Sequence, residues 1–265
     1  MTTNGIRPAE VPEHLIVVGC HGIWAGGPSK GFDEGEWLLA SFQTGEVPTM
    51  IEHIKTGLRA LADDPRAVLM FSGGPTRRET RLSESSSYAN VAAANSYFQI
   101  ISEDAASTRI LKEERALDSY FNVLFSIVKF WSTYGIWPTK LTSISHGFKR
   151  ERIVDCHCAA MRYPLDCVTF IGVDPPGMLD GSNKAAIPGV QEAVDQWNED
   201  PHGMGDILAP KRKRRNPWGV PQTLFSTEEE RVRSGVRSRV EEDGQEFLID
   251  GVPQPWSGES VQGAK

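Results

Sequence analysis

Ala67-Val68-Leu69-Met70-Phe71-Ser72-Gly73-Gly74-Pro75, continuing through the basic loop Thr76–Arg81 into Leu82-Ser83-Glu84-Ser85, is the stretch whose reading decides the fold. The apolar run Ala67–Phe71 ends in small residues, and after the loop a serine and a glutamate open a segment of helical character, Glu84–Ile101. This is a strand, a phosphate-sized turn and a helix start. Glycine admits close backbone approach, and a helix N-terminus offers unpaired N–H groups and a partial positive charge, so an anion is the expected occupant. Ser72, Gly73, Gly74 and Ser83 are therefore candidate binding residues. Arg77, Arg78 and Arg81 lie in the intervening loop, where they add charge-assisted bonds to a phosphate or carboxylate. An ordinary turn of the same composition is the plain alternative.

Outward from this stretch the pattern repeats. Before it, His14–Gly19 is a continuous apolar run of the kind buried in parallel sheets, and Pro48–Ala62 places Met50, Ile51, Ile54, Leu58 and Leu61 on one helical face. After it come a short strand at Thr108–Leu111, an amphipathic helix at Asp118–Trp131 and a strand at Lys140–Ser145. A helix to about Met161 and a strand at Cys167–Val173 complete the series. Strands alternating with helices predict a parallel sheet with helices on both faces and a ligand site beyond the carboxyl ends of the strands. Gly19–Gly22, Ser72–Gly74, Glu113/Glu114, Ser145/His146 and Asp174 stand at those ends. The turn after the first strand lacks the GxGxxG spacing of a dinucleotide site, and neither a Gly-x-Ser-x-Gly elbow nor a Walker pattern occurs.

The chain of 265 residues carries a net charge of −7, which disfavours general binding to nucleic acid or an acidic membrane. No apolar run approaches the roughly 20 residues that span a bilayer. Four cysteines are too few for a disulfide scaffold, and a reducing, cytoplasmic setting is expected. The run Lys211-Arg212-Lys213-Arg214-Arg215 reads as a solvated loop, with nuclear targeting as the sharper alternative. Cys156-His157-Cys158 with Cys167 is not expected to hold zinc, because successive helical side chains diverge by about 100°.

In their order along residues 14–175, Ser72-Gly73-Gly74, Ser83-Glu84, Glu114 and Thr142-Ser143-Ile144-Ser145-His146 resemble the YdcF-like or SanA-like family, domain of unknown function 218. The chain departs from that pattern at Ala116–Asn122, where Asp118 and Ser119 replace Asn and Thr while Asn122 is kept, and at Lys149, which replaces an arginine beside Arg150. The resemblance implies a Rossmann-like fold. The expected architecture is then an α/β three-layer sandwich around a mainly parallel five-stranded sheet, with a flexible lead at 1–13, the domain at 14–199 and a peripheral extension at 200–265. S-adenosylmethionine is the cofactor the resemblance admits.

The functional expectation is an enzyme for a small anionic or nucleotide-like molecule, performing hydrolysis or group transfer. His146, His21, Glu84 and Glu114 are the acid/base candidates, the carboxylates doubling with Asp118 as a divalent-metal alternative. Gly19, Gly22, Ser72, Gly73, Gly74, Arg77, Arg81, Ser83, Asp118, Ser119, Asn122, Ser145, Lys149 and Arg150 are the ligand-binding candidates. The competing expectation is a non-catalytic module for S-adenosylmethionine or a nucleotide that signals through residues 200–265. Trp197, Trp218 and Trp256 are read as packing on the domain or at a homodimer contact.

Overall fold

A computed structural model describes residues 11–175 and 189–258. The expected flexible lead falls mostly outside the described residues, as does the end of the tail, 259–265.

Strand β1 (His14–Gly19) is apolar throughout because both of its faces are covered. Leu15 and Val17 join one core and Ile16 and Val18 the other, the period-2 alternation of a central strand. The excursion after it carries a small antiparallel ribbon, β2 (Ile23–Trp24) with β3 (Trp37–Leu38). Glu36 holds that loop together, accepting from Trp24 Nε1 (2.9 Å) and from the Ser29 N–H (3.0 Å). Helix α1 (Val47–Asp63) starts on a proline in its first turn and buries the predicted apolar face. His53 lies on that same face, fully buried.

Strand β4 (Ala67–Ser72) leads to helix α2 (Glu84–Ala94), which Ser83 caps by accepting from the Ser86 N–H at 2.9 Å. The helix ends well before Ile101. Ser96, Tyr97, Phe98 and Gln99 all take positive φ, and Asn95 Nδ2 donates to the Val91 carbonyl at 2.8 Å where the helix stops. A short helix unforeseen in the sequence, α3 (Glu103–Arg109), follows a Ser102 cap and pushes the next strand, β5, to Ile110–Glu113. Helix α4 (Ser119–Tyr134) is capped by Asp118, whose carboxylate accepts from the Phe121 N–H at 3.0 Å, and ends on Gly135 at φ 73°. Strand β6 (Lys140–Ser145) passes through a tight turn at Gly147–Lys149 into a π-type helical segment, Glu151–Cys158, before β7 (Val168–Gly172).

All five central strands are parallel, in the order β5-β4-β1-β6-β7. One face carries α1 and α2 over Ile16, Val18, Leu69 and Phe71; the other carries α4 over Leu15, Val17, Val68 and Met70. The result is the expected three-layer, Rossmann-like sandwich.

Residues 200–258 add helices to the α4 side. Helix α5 (Val190–Glu199) leads to α6 (Leu208–Arg214) and α7 (Glu228–Ser234), and a hairpin joins β8 (Ser238–Val240) to β9 (Glu246–Leu248). Leu208, Leu224, Phe225, Val236, Phe247 and Trp256 belong to the core on this face, so the extension packs into the domain. The helix expected over 227–242 is cut at Gly235, which takes φ 70° and turns the chain into β8. The basic run is a correction: it forms α6 and not a loop. Arg212 is buried at 1% exposure, bonded to Asp118 Oδ2 (3.2 Å), Gln245 Oε1 (3.0 Å) and the Gly203 carbonyl (2.8 Å), with its guanidinium over Phe121 and Phe247. Trp197 and Trp256 are buried in the chain's own core.

Close backbone approach positions the turn after β6. A Cβ on Gly172 would lie 2.5 Å from the Gly147 Cα, and the Gly147 N–H donates to Asp174 Oδ1 at 2.7 Å. Gly172→Ala is expected to destabilise the fold by about 1–3 kcal/mol, read as a lower urea midpoint with unchanged m-value.

Candidate functional site

Sheet order reverses at β1: β4 lies on one side and β6 on the other. In an open parallel sheet such a reversal leaves a crevice beyond the carboxyl ends of the two strands. The residues just past those ends are Cys20-His21 and His146-Gly147, and His21 Nε2 lies 3.2 Å from Ser145 Oγ across the crevice. Lys149 Nζ reaches over to His21, 3.2 Å from Nε2 and 3.4 Å from Nδ1. A small recess, open in part to solvent, is lined here by Gly19, His21, Ser119, Asn122, Ser145 and Lys149 among others. Gly19 keeps it open, since a Cβ there would meet Asn122 Nδ2 at 3.4 Å and Ser145 Oγ at 3.8 Å.

A third histidine completes the cluster. His53 rises from α1, its Nε2 donating to the Val173 carbonyl at 3.0 Å, and its ring centroid lies 4.8 Å from that of His146 and 5.6 Å from that of His21. Burial holds all three imidazoles neutral: it pushes His53 down to about 4, His146 to about 2 and His21 well below the usual histidine value, with the Lys149 charge adding to each. Burial and the neighbouring Arg152 together bring Lys149 down to about 7.

Three cations stand at this end of the sheet. Lys149 and Arg152 are one helical turn apart, and Arg215, on the surface at the end of α6, donates to the Leu117 carbonyl at 3.2 Å. Arg152 makes no hydrogen bond or ion pair among the described residues, and its Nε is buried without a partner. Burial and the proximity of Arg215 lower it to about 10.

The candidate residues divide accordingly. His21, His146, Gly19, Ser119, Asn122, Ser145 and Lys149 come together at the crevice. The Ser-Gly-Gly turn is a correction. The Gly73 and Gly74 N–H groups donate to the Glu113 and Ala116 carbonyls (3.0 and 2.7 Å). Ser72 Oγ donates to Glu113 Oε2 and to the Asn122 carbonyl (both 3.2 Å). At the start of α2, the Glu84 and Ser85 N–H groups donate back to Gly74 and Gly73, and that of Ser86 to Ser83 Oγ. The N–H groups of Gly73, Gly74, Glu84, Ser85 and Ser86 are thus spent within the protein, and the carboxyl groups of Glu84 and Glu113 lie buried beside them.

The rest of the first reading is likewise spent on structure. Glu114 accepts from Ser83 Oγ (2.7 Å) and Ser86 Oγ (2.5 Å), and Asp118 pairs with Arg212, so the carboxylate metal alternative is not assembled. Glu84 accepts from Thr76 Oγ1 at 2.6 Å. Arg77 donates to Gln43 Oε1 (3.0 Å), Arg81 stacks on Trp218 (4.7 Å), and Arg150 pairs with Asp155 (3.0 Å) on the surface. Gly22 serves packing: a Cβ there would meet Leu39 at 2.8 Å. Two residues escaped the sequence reading. Arg152 was signalled by its three-residue spacing from Lys149, and His53 by being a polar residue three after Met50 on a buried helical face.

Fold and crevice define a doubly wound, parallel α/β protein with a histidine-rich, cationic site at its switch point. The chain is similar to the uncharacterized protein YOR238W of Saccharomyces cerevisiae, 28% identical over an alignment of 299 residues that covers 92% of this chain and 97% of that protein. No family model matches the chain, and no solved structure matches it. Among the described residues no helix is long and apolar enough to cross a membrane.

Burial raises the Glu84 carboxyl to about 7. The folded chain therefore binds more protons than the unfolded one between the ordinary glutamate range and pH 7, and stability falls as pH rises through that window. Glu84→Gln is expected to raise the melting temperature at pH 8, by up to about 3 kcal/mol of stability, and to lose that advantage by pH 4; thermal melts across this range check it.

Proposed function

We propose that the protein is an enzyme that binds a small anionic substrate in the crevice between β1 and β6 and performs hydrolysis or group transfer by acid/base chemistry. The observation that supports this reading is Arg152, a largely buried guanidinium that makes no hydrogen bond or ion pair among the described residues and stands beside two further cations, while Asp118, the carboxylate that acts on it, is already paired with Arg212. Burying an uncompensated charge is costly, and like charges gathered at one point raise that cost, so the arrangement is favoured when an anion joins it. Lys149 and Arg152 hold the negative group, and Arg215 stands at the rim.

The reacting centre then lies against His21 and Ser145. A neutral imidazole hydrogen-bonded to a hydroxyl has the geometry to take a proton from Ser145, or from a water or acceptor hydroxyl in its place, and to return it to the leaving group. A cluster of cations calls for a phosphate or carboxylate group and does not by itself select a whole nucleoside, so the proposal does not extend to S-adenosylmethionine or a nucleotide. The likeness to domain of unknown function 218 is retained as part of the proposal, carried by Thr142–His146 at the crevice.

Isothermal calorimetry with inorganic phosphate and with acetate tests the binding step. Wild type is expected to bind at least one of them, Arg152→Gln to bind it about 10-fold or more weakly, and Arg81→Gln to bind it unchanged. In a panel of phosphate and carboxylate esters, His21→Ala is expected to lower kcat by about 10²–10⁴ on any ester the wild type turns over. A folded wild-type protein that binds neither anion overturns the reading.

A further inference from the structure

We infer that His21, His53 and His146 form a binding site for one divalent transition-metal ion of the borderline class, zinc foremost. One ring nitrogen from each of the three lies within 4.8 Å of the others. They come from three different elements: the turn after β1, the middle of α1 and the turn after β6. Tertiary packing alone brings them together.

The hydrogen bonding around the cluster points the same way. His53 spends its Nε2–H on the Val173 carbonyl, which leaves Nδ1 as a bare lone pair, buried and without a partner. His146 is buried with both ring nitrogens unpartnered, and the Glu46 carboxylate stands 3.7 Å from its Nε2. His21 has Ser145 Oγ at 3.2 Å from its Nε2. An oxygen thus stands beside Nε2 of each ring, the outer-shell arrangement by which carbonyls and carboxylates orient metal-binding histidines; Nδ1 of His53 and of His146 is unpartnered, while Nδ1 of His21 has the Lys149 Nζ at 3.4 Å. Buried nitrogens that bond nothing are rare in folded proteins, and an ion shared by the three rings would satisfy one nitrogen of each.

The donor set selects the ion. Three neutral imidazoles without a carboxylate suit zinc and its neighbours rather than magnesium or calcium, and three protein ligands leave a fourth position for water or substrate. Zinc–nitrogen bonds of about 2.0–2.1 Å require the three nitrogens to draw in to about 3.4 Å of one another, a movement of ring rotation. Lys149 opposes the ion, because its Nζ lies 3.2 Å from His21, and it must swing away when the ion enters. The fourth position would then adjoin the recess that Lys149 lines and would offer a place for an activated water or the substrate, with His21 acting there as a ligand and not as the base. Only this last consequence rests on the proposed function; occupancy of the site does not.

The test is equilibrium dialysis of chelator-treated, full-length protein against zinc chloride, with metal counted per chain by mass spectrometry and no substrate present. Wild type is expected to retain one zinc, and to show the visible absorption of nitrogen-ligated cobalt when Co²⁺ replaces it. His53→Ala, checked for folding by circular dichroism, should bind at least 10-fold more weakly. His14→Gln, outside the cluster and bonded to Asp64 and Thr142, should bind as wild type does. Lys149→Met should bind more tightly, since the competing cation is gone. Folded wild type that retains neither zinc nor cobalt, or a folded His53→Ala that retains zinc like wild type, overturns the inference. Should His53→Ala fail to fold, His146→Asn replaces it under the same criterion. Zinc retention together with absence of phosphate and acetate binding would overturn the proposed function and leave the metal site standing; the reverse result would do the opposite.

Discussion

Everything at the candidate site depends on the reversal of strand order at β1. From β1 the chain builds outward to β4 and β5 on one side, then returns to lay β6 and β7 on the other. Because crossovers of one hand on opposite sides of a strand put their helices on opposite faces, α1 and α2 cover one face and α4 the other. Among the described residues no connection runs between the ends of β1 and β6. The crevice left there receives His21 and Ser145 from the two strand ends, with Ser119 and Asn122 at the start of α4 lining the same recess.

Low dielectric then governs the chemistry of that crevice. Imidazoles packed against one another and against an ammonium stay neutral, which preserves lone pairs for protons or for a metal ion. The same burial makes Glu84 and Glu113 retain protons into a higher pH range and keeps them bonded into the Ser-Gly-Gly turn. Two sites of opposite character therefore sit close together: a cationic crevice at β1/β6 and a carboxylate-lined turn at β4/β5.

The extension supports this arrangement from outside the sheet. Arg212 pairs with Asp118, the cap of α4, and so fixes the helix start that presents Ser119 and Asn122 to the recess. Trp218 donates to the carbonyls of Arg77 and Thr80 (2.9 and 2.8 Å) and stacks on Arg81, which ties the basic loop to the extension. Residues that read as anion ligands in the sequence are here the means by which the extension is held to the domain.

Apolar periodicity and capping chemistry made the layers legible. His14–Gly19, Ala67–Phe71 and Lys140–Ser145 are strands because continuous or alternating apolar runs bounded by glycine and serine have no other buried form, and Ser83 and Asp118 cap helices because their side chains reach N–H groups that nothing else satisfies. The strand-end position of His21, Ser145, His146 and Lys149 followed from the same pattern. The partners of these groups did not follow. Whether the N–H groups of Gly73 and Gly74 face a ligand or the Glu113 and Ala116 carbonyls is set by a strand and a loop some forty residues away. Whether Arg212 lies in water or under Phe247 is likewise set by a hairpin far along the chain. Sequence by itself determined which residues form elements and which stand at their ends, because those choices are local in backbone propensity and side-chain period. Only the tertiary structure decided that His53 joins His21 and His146 and that Arg152 makes no hydrogen bond or ion pair among the described residues, because hydrogen bonding and desolvation act between groups that the chain brings together only when it folds.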